Sequence, residues 1–181
     1  MVGRILDDNY LTTNSRLLTP DSRLLTPMPI TEIENLTHLR ALVGSEVAVS
    51  DWFEVTQERI NQFADATLDH QWIHINPERA KTESPFGTTI AHGFLTLSLL
   101  PHLLQQSIKY KTPPRMGVNY GTNKIRFTAP VPAGANLRAH FMLQSVEEIT
   151  GGVQVTWGIK IEREGVEKPC LVAEWVARSY E

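Results

Sequence analysis

Over the last third of the chain, apolar and polar positions alternate. Val118 and Tyr120, then Ile125 and Phe127, form one such region, and Leu137, Ala139, Phe141 and Leu143 form the next. Thr150-Gly151-Gly152 reads as a hairpin turn, after which Val153, Val155, Trp157, Ile159 and Ile161 alternate strictly. Glu164-Gly165 turns again into a last strand, Cys170 to Arg178. A period of two sends successive side chains to opposite faces, so this region predicts an antiparallel meander with one buried face.

The preceding region has a different rhythm. A short helix is expected from Thr31 to Leu42, ended by Gly44, followed by a strand running from Val47 and Val49 through Trp52, Phe53 and Val55. Thr56 can cap a helix whose inner face is Ile60, Phe63, Ala64 and Thr67. Leu68 to Ile75 reads as a loop, and Asn76 before Pro77 starts a short helix to about Lys81. Ile90 to Ile108 is apolar nearly all round, through Phe94, Leu95, Leu97, Leu99, Leu100, Leu103 and Leu104. Such a helix has to be buried, and Pro101 bends it or marks a join within it. The pattern predicts an α+β fold in which an antiparallel sheet wraps around that buried central helix.

Ahead of this domain, expected over residues 30–181, Ser15-Arg16-Leu17-Leu18-Thr19-Pro20 recurs as Ser22-Arg23-Leu24-Leu25-Thr26-Pro27. The unit is too short for a solenoid, and residues 1–29 read as a poorly ordered extension, with Met28 as a candidate natural start. A chain of 181 residues makes one sizeable core. The formal charge of -3 gives no reason to expect nucleic acid or an anionic membrane as partner. The single cysteine, Cys170, excludes an intrachain disulfide framework and fits a reducing, cytoplasmic setting as a buried strand thiol.

The ionisable groups concentrate in Asp69-His70-Gln71-Trp72-Ile73-His74. A carboxylate and an imidazole at this spacing can share one water, one taking a proton while the other gives one. Asp69 as the cap of a turn and His74 as a satisfied polar residue fit the same spacing. His70, His74, His92 and Asp69 also permit a metal site, but Pro77 starts its helix too late to align His70 with His74, and no metal is expected. Ala91-His92-Gly93 opens the apolar helix, where free backbone N–H groups suit a developing oxyanion and a missing side chain allows close approach. Packing against the sheet would explain that glycine equally well. Phosphate-binding, serine-elbow and dinucleotide glycine signatures are absent, so no cofactor is expected.

Several blocks together resemble the MaoC-like, nodulation-protein-N-like dehydratases. They are Asp51-Trp52, Phe63-Ala64-Asp65-Ala66-Thr67, Asp69 to His74, Pro85-Phe86-Gly87, Ile90 to Phe94, Met116 to Gly121, Lys124 to Phe127, Ala129-Pro130-Val131 and Ala173 to Val176. The resemblance runs from about residue 30 to the end. It implies a hotdog fold, usually homodimeric, and (R)-specific hydration of trans-2-enoyl thioesters of coenzyme A, with acyl carrier protein as the other carrier. Asp69 and His74 match the acid–base positions of the motif Gly-Asp-x-Asn-Pro-x-His, and Gly93 matches the oxyanion N–H. Leu68, Gln71 and Trp72 depart from that motif as in the nodulation-N-like branch, and Pro101 stands near a position where some relatives carry serine. His92, Asn119, Tyr120 and Asn123 are expected to contact substrate, although exposed strand and turn polars would look the same. A hotdog thioesterase is the nearest rival, but the span Phe94 to Ile108 has no carboxylate. A non-catalytic acyl-binding module is the other.

Overall fold

The computed structural model describes residues 27–181. Residues 1–26, with nearly all of the duplicated segment, lie outside it. Four long strands carry the architecture: β5 (Met116–Phe127), β6 (Ala135–Ile149), β7 (Gly152–Arg163) and β8 (Val166–Tyr180). With β2 (Glu46–Val49) and β3 (Phe53–Val55) they form a six-stranded antiparallel sheet in the order β2-β6-β7-β8-β5, β3 also pairing with β6. The alternation seen in the sequence sets the faces. Leu137, Ala139, Phe141 and Leu143 of β6 are fully buried, and Val153, Val155, Trp157, Ile159 and Ile161 continue that layer on β7.

The inner face closes over two helices, α4 (Gly93–Ser98) and α5 (Leu100–Ser107). Leu95, Leu99, Leu100 and Leu103 join the sheet residues in one hydrophobic cluster. This is the hotdog arrangement, a sheet around a central helix. Pro101 does mark a join: it sits in the first turn of α5, where its lack of an N–H costs nothing, and Leu99 links the two helices. The predicted helix is shorter than its apolar run. Ile90 instead bridges to Pro132, and Ile108 begins strand β4 (Ile108–Tyr110). A continuous apolar run says buried, not helical, and at both ends the chain is buried as extended backbone.

Three further expectations are corrected. Thr31 to Leu42 is not a helix: Thr31–Ile33 is strand β1, pairing in parallel with β4, and only His38–Leu42 makes a 3-10 helix. Ile33, Leu36 and Leu39 are buried, a spacing of three that fits either shape, and pairing with β4 decides it. The strand from Val47 to Val55 breaks at Ser50, whose hydroxyl accepts from the Ala139 N–H at 2.9 Å while its own N–H donates to the Ala139 carbonyl at 2.9 Å. The expected loop Leu68 to Ile75 contains a one-turn helix, α2 (Trp72–Ile75). By contrast, α1 (Gln57–Thr67) is capped by Thr56, whose hydroxyl accepts from the Arg59 N–H, and buries Ile60 and Ala64. Asn76 likewise caps α3 (Pro77–Glu83).

Ile33 on β1 and Leu103 on α5 are both fully buried in this core. Ile33→Ala and Leu103→Ala should each lower unfolding free energy by about 2–5 kcal/mol in urea titration. A loss below 1 kcal/mol at Ile33 would mean that β1 is not part of the cooperative unit.

Candidate functional site

The site forms where the α1–α2 connection meets the start of α4. Helix α1 ends at Leu68, which takes a left-handed conformation (φ 61°) and is 80% exposed. That conformation is unusual for a bulky residue and costs of order 1–3 kcal/mol, so surrounding contacts must impose it. The turn directs the chain back over α4 and delivers Asp69. Its carboxylate is half exposed and accepts weakly from the Gln71 N–H at 3.4 Å.

His74 lies in α2 and is buried. Its Nδ1 is 2.7 Å from the Ile90 carbonyl oxygen, which can only accept, so the proton sits on Nδ1 and Nε2 carries the lone pair. The backbone around it is fastened on both sides. The Ile90 N–H donates to the Ile73 carbonyl at 3.0 Å, and the Gln57 amide donates to the His74 carbonyl at 2.7 Å. Gln57 in turn accepts from the buried Thr89 hydroxyl. Neither Gln57 nor Thr89 was singled out from the sequence. A polar residue in the first turn of an exposed-looking helix carries no local sign that it reaches 17 residues along the chain.

His92 is the N-cap of α4 and is 4% exposed. Its Nε2 donates to the Asp69 backbone carbonyl at 3.0 Å, and its ring stacks on His74 with centroids 3.7 Å apart. An Asp69 carboxylate oxygen and one ring nitrogen each of His74 and His92 all lie within 4.8 Å of one another. The sequence pair Asp69 and His74 is thus brought together, with His92 beside it. His70 is not: it faces Asp65 at 2.9 Å.

Burial pushes the His74 imidazole below the ordinary histidine value of 6.5. The Ile90 bond opposes that shift, neighbouring His92 adds to it, and Asp69 opposes it. His74 therefore stays a proton acceptor at neutral pH. Asp69, His74 and His92 also have the residue types of a metal site, although His92 Nε2 is already bonded to the Asp69 backbone carbonyl.

A cavity of about 360 Å³ lies beside His74, lined also by Phe86, Ala91, Gly93, Phe127 and Cys170 among others. Gly93 is the first residue of α4, and a Cβ there would meet the Phe127 ring at 2.9 Å. Burial pushes the Cys170 thiol up to about 11, and its Sγ contacts the Ile161 carbonyl, so it is not a nucleophile at neutral pH. Asn119 and Tyr120 line a different groove, with Leu97, Ser98, Pro101 and Trp175. Tyr120 and Asn123 fall at the two register shifts of β5, where bulges re-aim side chains along an edge strand. Arg178 stacks on the Tyr120 ring. Within this chain, then, Asn119, Tyr120 and Asn123 are not joined to the Asp69–His74 cluster.

Residues 39–164 match the MaoC like domain family. The 3-hydroxyacyl-thioester dehydratase Z of Mycobacterium tuberculosis is 51% identical over 146 residues, covering 80% of this chain and 95% of the relative. Nodulation protein N of Rhizobium leguminosarum is 42% identical, covering 78% and 89%. Two solved structures share the fold. The monoamine oxidase regulatory protein of Archaeoglobus fulgius superposes with TM-score 0.69 at 23% identity, over 84% of this chain and 99% of that one. The (R)-hydratase from A. caviae involved in PHA biosynthesis gives 0.58 at 24% identity, over 75% and 94%. With a family match across most of its length and a relative at half identity, the chain belongs to the MaoC-like dehydratases and is a hydro-lyase.

Proposed function

We propose that this enzyme is an (R)-specific hydratase/dehydratase acting on trans-2-enoyl and 3-hydroxyacyl thioesters of coenzyme A. The observation that carries the reading is the pairing of a solvent-reaching carboxylate with a buried imidazole that lines a mainly apolar cavity and has its Nδ1 tied to the Ile90 carbonyl. Asp69 and His74 hold one water. As its oxygen adds to C3 of the enoyl group, the pair takes up its proton and returns a proton to C2, so the elements of one water are added overall. The thioester carbonyl accepts from the Gly93 N–H, which polarises the conjugated alkene. Delivery from one face fixes the product's configuration. Dehydration is the same path reversed, and the name of the Mycobacterium tuberculosis relative, 3-hydroxyacyl-thioester dehydratase Z, fits that substrate class.

Hydrolysis of the thioester is the rival chemistry. From Gly93 to Ser107 the central helices contain no Asp or Glu to serve as base or nucleophile, which favours hydration. With crotonyl-coenzyme A, loss of enoyl absorbance without release of free thiol is the expected result. Thiol release at the same rate would replace this reading with a thioesterase.

The working form is a homodimer. Strand β5 has a hydrogen-bonded neighbour on one side, β8, and its Met116, Val118 and Tyr120 are 41–57% exposed. The bulges at Tyr120 and Asn123 interrupt this edge, but Met116 to Asn119 pairs regularly with β8 and keeps its other side open, a template for a second chain. A second copy would also supply the walls that Asn119, Tyr120 and Asn123 need to meet an acyl chain.

Asp69→Asn and His74→Ala should each lower kcat on crotonyl-coenzyme A by roughly 100- to 10,000-fold with folding intact, the range for general acid–base groups. Near-wild-type rates in both would reject the site. Because burial depresses His74, its unprotonated form survives to lower pH than an ordinary imidazole, and kcat/KM should fall on the acid side with a midpoint below 6.5. A midpoint well above that value counts against His74 as proton acceptor. Val118→Asp should convert the dimer to a monomer in sedimentation velocity, and an unchanged dimer would move the interface elsewhere.

A further inference from the structure

His92 is an unexpected choice for the space it fills. The ring is 4% exposed, packs against Phe63 at 5.1 Å and His74 at 3.7 Å, and leaves its Nδ1 buried without a hydrogen-bond partner. Stranding a buried lone pair is unfavourable, and phenylalanine or leucine would occupy the same volume without that penalty. What an apolar residue would lack is the Nε2–H donated to the Asp69 carbonyl. That bond spans 23 residues and ties the N-cap of α4 to the turn that delivers Asp69.

The turn has few other restraints. Leu68 holds a left-handed backbone while its side chain lies in solvent, and the Asp69 carboxylate has a 3.4 Å contact with the Gln71 N–H and lies 3.9 Å from His92 Nε2 itself. His74 is fixed in its plane by Ile90, but its ring face rests on His92, nearly parallel at 26°. One side chain therefore touches both members of the pair, Asp69 through its backbone and His74 through its ring, yet it is not among the residues lining the cavity.

We infer that His92 is a positioning residue: its Nε2–H anchors the Asp69 turn to the start of α4, and its ring face sets the His74 plane, so that carboxylate and imidazole meet at one water. This rests on the hydratase reading above for its consequence in turnover, but not for its geometry. It departs from the substrate contact expected of His92 from the sequence.

Three variants separate donor from shape. In His92→Gln the amide nitrogen reaches about as far as Nε2 and can donate to the Asp69 carbonyl. His92→Phe keeps the stacked ring without a donor, and His92→Asn has a donor that is too short. With crotonyl-coenzyme A, Phe and Asn should lose roughly 10- to 100-fold in kcat at little changed KM, the scale of an ångström-sized misplacement of a reacting group. Gln should recover most of that loss. Wild-type kcat in the Phe variant would overturn the inference. So would a rise in KM at constant kcat, which marks a substrate contact, or equal losses in all three among folded proteins. A readout independent of turnover is amide hydrogen exchange over residues 69–71, the turn that the His92 Nε2–H anchors. Protection there should persist in the Gln variant and fall in the Phe variant. A wild type inactive on every enoyl thioester, with that exchange difference between the variants, would defeat the hydratase reading and leave the positioning role standing. No difference between the variants would remove the positioning role.

Discussion

An inner sheet face made of leucine, isoleucine, valine, phenylalanine and tryptophan has to be covered, and α4–α5 is what covers it. Without that filling, β6, β7 and β8 would expose Phe141, Trp157, Ile159 and Trp175 together, burial worth about 1.5–3 kcal/mol for each large side chain. Helices α4 and α5 still present one face to water, through Phe94, Ser98, His102, Gln105 and Gln106, and the candidate chemistry lies at their N-terminal end, where the Ala91-His92-Gly93 segment enters. The Ala91 N–H donates to the Val131 carbonyl and the Ile90 N–H to Ile73, so that entry is stitched to the sheet side and to α2 at once.

The acid–base pair depends on this stitching. His74 owes its tautomer to a carbonyl in the segment feeding α4, and Asp69 has its backbone held by the N-cap of the same helix. Both restraints run outward from the segment that opens the central helix, and Gln57 on α1 adds a third at the His74 carbonyl. Rigidity is thus borrowed from the core, in keeping with catalytic groups carried on loops over a firm scaffold. The lowering of His74 comes first from the burial this arrangement imposes.

What the sequence disclosed follows the physics of each segment. Strict alternation in β6 and β7 was legible because one face meets the core while the other is mostly left partly exposed. The caps Thr56 and Asn76 were legible because capping is a local event, complete within three residues. Thr31–Ile33 was not, since its strand character depends on pairing with β4, 77 residues away at the Glu34–Lys111 ion pair. The nearness of Asp69 and His74 was visible in spacing and family resemblance. The supporting roles of Gln57, Thr89 and His92 arise only when distant segments fold together, and nothing in their immediate neighbours encodes them.

Gly93 and Phe127 have a consequence beyond the present chain. The aromatic ring lies so close to the glycine backbone that even one methyl group would collide with it. Neither position can drift alone: enlarging residue 93 requires a smaller or displaced neighbour at 127, whereas trimming residue 127 widens the chamber while leaving 93 free to stay as it is. Among descendants of this sequence, changes of pocket size should therefore begin on the strand and reach the helix later.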